Sequence, residues 1–109
     1  MVSYFVRYRG SSPQPAAFLA YYRERHAQLL KQFPAIHSLV LHTPASFQDP
    51  FPIRRGGTML LAQMTFDSAA DLDAALRSDA RRQARDDFSK FPQFDGEVTH
   101  EALSAEVIF

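Results

Sequence analysis

Two side chains in the stretch FLAYYRERHAQLL, Tyr22 and His26, are of types that move protons, and they stand about one helical turn apart. On a helix of about 3.6 residues per turn, Phe18, Tyr22, Leu29 and Phe33 share a face, Leu19 and Leu30 widen it, and His26 falls between them. Arg23, Glu24, Ala27, Gln28 and Lys31 take the far side. An inward polar group without a partner costs about 1–3 kcal/mol, whereas an aliphatic residue there would contribute about 1.5–3 kcal/mol by burial. His26 is therefore expected either to bond a core partner or to face a wet pocket. A neutral imidazole, titrating at about pH 6.5, can take a proton from a carbon next to a carbonyl or return one to an enolate without a metal. Tyr22 can donate to the resulting oxyanion or orient the imidazole.

The other histidines are weaker candidates. His37 and His42 are an odd number of residues apart on one expected strand, so they face opposite sides. His100 lies on the last expected strand and could approach His26 in space, but two histidines with no acidic neighbour of recognisable spacing make a poor metal signature. No G-x-S-x-G elbow supports a nucleophilic serine, and no G-x-G-x-x-G supports a nucleotide cofactor. The expectation is a site without metal or cofactor.

These residues need elements to hold them. VSYFVRY, ending at Gly10, reads as a strand from Val2 to Arg9. GSSPQP then connects to a helix with Ser12 or Gln14 as cap and Pro15 in its first turn, running to Gln32 and ended by Pro34. Ile36–Thr43 is a second strand with no fully polar face, which suggests cover on both sides. Residues 44–57, PASFQDPFPIRRGG, carry three prolines and two glycines and read as a loop. Its Phe47, Phe51 and Ile53 suit either a flap over a pocket or a contact with a neighbouring subunit. Thr58–Phe66 is the third strand. One broken helix or two short ones follow, the first starting near Ala69 behind Ser68 and Asp71, with Leu72, Ala75 and Leu76 inward. A fresh start near Ser78 and Asp79 leads into Ala80, Ala84, Phe88 and Phe91 at helical spacing, closed by Pro92. Val98, Leu103, Val107, Ile108 and Phe109 allow a fourth strand.

The order is βαββαβ, the ferredoxin-like α+β plan: a four-stranded antiparallel sheet with both helices on one face. Its 109 residues fit a single domain, 1–109. The uncovered face would still hold apolar side chains, which predicts a homodimer whose sheets pair into a barrel-like core. Twelve basic and twelve acidic residues cancel, so no overall field favours nucleic acid or anionic lipid. The run RRQAR beside DD reads as a solvated, salt-bridged helix face. Cysteine is absent and no apolar run approaches about 20 residues, so a cytoplasmic protein with no membrane contact is expected.

FLAYYRERHAQLLKQFP, the strand-loop-strand that follows, and FDSAADLDAALRSDARRQARDDFSKF resemble the EthD family over nearly the whole chain. The most specific parts are Phe18, Tyr21 or Tyr22 and His26, the proline after the helix, and the acidic-start helix pair ending in Phe88. The resemblance implies a dimeric α+β barrel with a ligand pocket between helices and sheet. It also implies that His26 faces that pocket, as the matching histidine does in isomerase-like members. Related barrels include isomerases, cofactor-free monooxygenases, polyketide cyclases or decarboxylases, and haem binders, but nothing further here is haem-specific. Ala35 stands where the family usually has glycine, and the 44–57 loop is unusually rich in proline.

Two functions are consistent with these residues. One is a cofactor-free isomerase, cyclase, decarboxylase or monooxygenase acting on a small hydrophobic compound, aromatic, lactone or polyketide-like, with His26 as acid/base and Tyr22 beside it. The other is a non-catalytic ligand-binding or accessory protein of an ether- or aromatic-degradation pathway. A third outcome is a pocket filled by the protein's own Phe88 and Phe91.

Overall fold

A computed structural model describes the whole chain, Met1 to Phe109. Strands β1 (Val2–Ser11) and β3 (Thr58–Phe66) bury alternate side chains: Tyr4, Val6 and Tyr8 from one, Leu60, Ala62, Met64 and Phe66 from the other. Both lie at the centre of a four-stranded antiparallel sheet of order β2-β3-β1-β4, edged by β2 (Ser38–His42) and β4 (Asp95–Ser104). The buried face is packed by α1 (Pro15–Tyr21), a π-helical turn (Tyr22–His26) and α2 (Ala27–Leu30), and by α3 (Ala69–Leu76) and α4 (Asp79–Asp87). This is the ferredoxin-like arrangement expected from the order of elements. No helix is long and apolar enough to cross a membrane.

Local chemistry explains the helix starts. The Ser68 hydroxyl accepts from the Asp71 N–H at 3.1 Å, and the Ser78 hydroxyl accepts from the Arg81 N–H at 3.2 Å, so the second helical region is two capped helices. Gln14 occupies the first cap position without a side-chain bond; Ser12 instead donates to the Gln93 carbonyl at 2.6 Å and accepts from the Gln14 N–H. Ala35 holds φ at 63°, a left-handed position that glycine adopts more readily. Gly10 faces Gly96 across β1 and β4, where a Cβ on either would collide with the opposite backbone.

Several boundaries differ from expectation. β1 extends to Ser11 because Gly10 and Ser11 still pair with Gly96 and Asp95. β2 is shorter than Ile36–Thr43 and is an edge strand, with Val40 44% exposed, so within the chain it is not covered on both sides. β4 ends at Ser104, opposite Val2, and Val107, Ile108 and Phe109 stand exposed beyond it. Residues 44–57 form a loop as expected, with Phe47, Phe51 and Ile53 exposed and the Arg55 guanidinium 4.2 Å over the Phe47 ring.

The first helix also departs from a regular period. Phe18, Tyr22, His26, Leu30 and Phe33 are its buried residues, so Leu30 takes the inward position assigned to Leu29. The π turn supplies the reason: by widening one turn it keeps a four-residue spacing aligned across a segment where a strict α-helix would drift.

Candidate functional site

Between this helix, α4 and the sheet lies a cavity of about 340 Å³, within the size range of sites for small organic molecules. Val6, Leu30, Phe33 and Met64 give it apolar walls, and Tyr4, Tyr8, Tyr22, His26 and His100 give it polar points. Phe88 lines it but remains 42% exposed, and Phe91 packs outside it with its ring 4.8 Å from that of His26. The two phenylalanines therefore do not fill the space, as one expectation had them doing. No residue of the 44–57 loop lines it.

His26 is 7% exposed and its partner is Asp87, the last residue of α4. His26 Nδ1 lies 3.0 Å from Asp87 Oδ2, and the Tyr21 hydroxyl donates to Asp87 Oδ1 at 2.7 Å. Burial pushes the Asp87 carboxyl up, but the bonds from Tyr21 and His26 outweigh it and hold the group below the usual carboxylate range. An ionised carboxylate only accepts, so Nδ1 carries the hydrogen and Nε2 keeps its lone pair. No buried polar side-chain atom lacks a partner, and Nε2 has none within the chain, so Nε2 opens onto the cavity. Burial lowers the His26 pKa, and Asp87 only partly restores it. The imidazole is thus neutral at pH 7 and equipped as a base.

The π turn makes this network possible. In an α-helix, residues five apart point roughly 140° away from each other, whereas a π turn, whose hydrogen bond spans five residues, brings them into line. Tyr21, just before the π turn, and His26, its last residue, stand at that spacing and reach one carboxylate.

Tyr22, expected as the partner of His26, packs edge-on to its ring at 4.9 Å but does not bond it; Asp87 does the orienting. The Tyr22 hydroxyl has no partner in the chain and so also opens to the cavity. Burial, and then the neighbouring Tyr8, hold its pKa well above the ordinary value, which keeps it a donor. Asp87 was missed because it lies 61 residues from His26 in a segment read as a solvated charged face. The one available signal was that Asp87 falls a helical turn from Ala84 on the inward stripe.

That segment needs a second correction. It is solvated as expected at Arg82, Gln83, Arg85 and Asp86, with Arg82 paired to Asp79, but Arg81 and the exposed Arg85 also line the cavity. His100 joins them from β4, its ring 6.0 Å from Tyr4, so His26 and His100 share one cavity. His37 and His42 lie elsewhere, bonded at the surface to Asp67 at 2.9 Å and Gln63 at 3.1 Å. No group of three or more His, Cys, Asp or Glu side chains converges as metal ligands would.

Among solved structures, the chain is similar to an EthD family protein from Bacillus halodurans, with TM-score 0.75 and 20% identity over 97% of this chain and 99% of that one. It is also similar to a Streptomyces coelicolor monooxygenase in complex with nanaomycin D, with TM-score 0.69 and 13% identity over 99% and 89% of the two chains. A cofactor-independent oxygenase from Streptomyces nogalater matches with TM-score 0.63 and 14% identity over 98% and 95%. At these identities the likeness is one of fold. No curated protein matches the sequence. The EthD domain model, however, matches residues 12–95, from the connection before α1 to the first residue of β4, and the chain belongs to the EthD family.

Proposed function

We propose that this protein binds a small, apolar, enolisable metabolite, aromatic, lactone or polyketide-like, and moves one of its protons with His26, without metal or cofactor. The observation that carries the reading is the buried His26–Asp87 pair with Nε2 open to the cavity. Nε2 would take the proton from a carbon next to a carbonyl, the C–H electron pair would form the enolate double bond, and the carbonyl electrons would move to oxygen. Tyr22 would donate to that oxyanion. The imidazolium would then return the proton at a conjugated carbon, isomerising the ligand and restoring the base. Two proteins of the same fold support a small-molecule role: one is a cofactor-independent oxygenase, and one was solved with nanaomycin D.

The test is exchange of acidic C–H protons with D2O, followed by NMR, across a panel of unsaturated lactones, phenols and polyketide mimics. His26→Gln should retain binding and lose exchange by about 10²-fold or more. Binding without exchange in the wild type would leave a carrier and remove the enzyme.

The homodimer belongs to the same proposal. Opposite the helices, the sheet presents Phe5, Val40, Leu61 and Leu103, set in register by the strand pairing and uncovered by any element of the chain. Pairing two such faces would bury them. Sedimentation should give a dimer, and Val40→Glu with Leu61→Glu a monomer.

A further inference from the structure

The cavity wall carries two basic side chains that the proton-transfer reading does not use. Arg81 and Arg85 stand four residues apart on α4, on one face, and both line the cavity. Such like-charged neighbours repel, and helices commonly relieve this with a nearby carboxylate. Here no such carboxylate is present: the basic side chains that meet carboxylates are His26 with Asp87, His37 with Asp67 and Arg82 with Asp79. Arg81 reaches only the Leu76 carbonyl, at 3.5 Å, and no Asp or Glu lines the cavity. Near them stands His100, an exposed ring on β4 whose pKa is lowered by partial burial and then by the two guanidinium groups, so at pH 7 it adds no charge to theirs.

An apolar chamber with uncompensated cations on its wall is complementary to an amphipathic anion, since a guanidinium binds a carboxylate by paired, charge-assisted hydrogen bonds. We infer that the ligand is an organic acid: an apolar ring system held against Val6, Phe33 and Met64, with a carboxylate bound by Arg81 and Arg85 beside His100. This rests on the proposed ligand-binding role of the same cavity and names the substrate class. It also assigns a division of labour, in which the carboxylate fixes the orientation of the ligand and leaves its enolisable carbon to His26.

The test compares 2-naphthoate with its neutral counterpart 2-naphthamide by fluorescence titration at low salt. The naphthoate should bind about tenfold tighter or more, and that preference should shrink in high salt. Arg81→Gln and Arg85→Gln, singly and together, should bring the two affinities to within about twofold while leaving naphthamide binding intact, which also verifies that the variants are folded. Arg23→Gln, which removes a charge on the far side of the first helix, should keep the preference. Equal binding of the two probes to the wild type would overturn the organic-acid inference and leave the cavity reading standing. So would a preference that survives both arginine substitutions. Binding of neither probe would overturn both.

Discussion

Two places along α4 use charge in opposite ways. At one, Asp87 is ionised, buried and fully engaged, accepting from Tyr21 and His26. At the other, Arg81 and Arg85 carry their charge to the cavity without a carboxylate partner. A charge that is satisfied within the chain sets the tautomer and pKa of its neighbour, because nothing remains for a ligand to satisfy. A charge left unsatisfied is held by water until a ligand of opposite sign displaces that water. On the proposed reading, hydrogen-bond inventory thus separates the group that acts from the groups that hold.

The strongest way to break this contrast is Asp87→Asn. An amide can present its N–H to Nδ1, which places the imidazole hydrogen on Nε2 and removes the base from the cavity. Proton exchange should fall about 10²- to 10⁴-fold with ligand affinity little changed. Unchanged exchange, read by the same NMR assay, would show that the pair is structural only.

Next in size is the stability that Asp87 confers. Asp87→Ala strands the His26 N–H in a buried setting and should cost about 1.5–3 kcal/mol, measured as a lower urea midpoint at pH 7. A smaller loss would mean that the network contributes nothing beyond packing.

The pH dependence sharpens the comparison further. His26 has a lowered pKa in the fold, so below about pH 6.5 the unfolded chain binds a proton that the folded chain refuses. Its contribution is complete above that value and is lost as pH falls through the lowered one. Asp87 acts in the same direction further into acid: its contribution is complete above the ordinary carboxylate range and lost as pH falls through its own lowered value. His100 is lowered as well, but it is exposed and solvent screens its share. Between pH 5 and 7, His26→Gln should therefore flatten the stability curve more than His100→Gln. The reverse order in urea titrations would place the more strained histidine beside the two arginines.

The smallest effect is expected at Arg85. Replacing it with Gln should change stability by no more than about 0.5 kcal/mol, with a gain favoured because a like-charge repulsion disappears. A clear loss of thermal stability would reveal a structural partner for this guanidinium and weaken its assignment to a ligand.

Much of the frame was legible because it is encoded over short distances. Alternation in SYFVRY and LLAQMTF gives the buried faces of β1 and β3, and Ser68 and Ser78 each mark a helix start through a bond to an N–H three residues on. The proline-rich run between β2 and β3 reads as a loop for the same local reason. The end of β4 was not legible, since VIF has a strand-like composition yet stands exposed beyond the last residue paired with β1. Nor was the π turn, since a strict 3.6-residue period puts Tyr21 off the inward face and chooses Leu29 over Leu30.

His26 shows where the division falls. Its sequence neighbours determine that it points inward on an apolar helix face, and the cost of an unsatisfied buried imidazole requires a partner or a pocket. They do not say which. The crossing of α4 over the first helix brought Asp87 to it from 61 positions away, and the same crossing set the half-buried Arg81 and the exposed Arg85 along the cavity wall. Periodicity reports the environment of a residue within a turn or two of chain, whereas the pairing of charges across helices depends on how the helices pack, and that is settled only when the whole domain closes around its core.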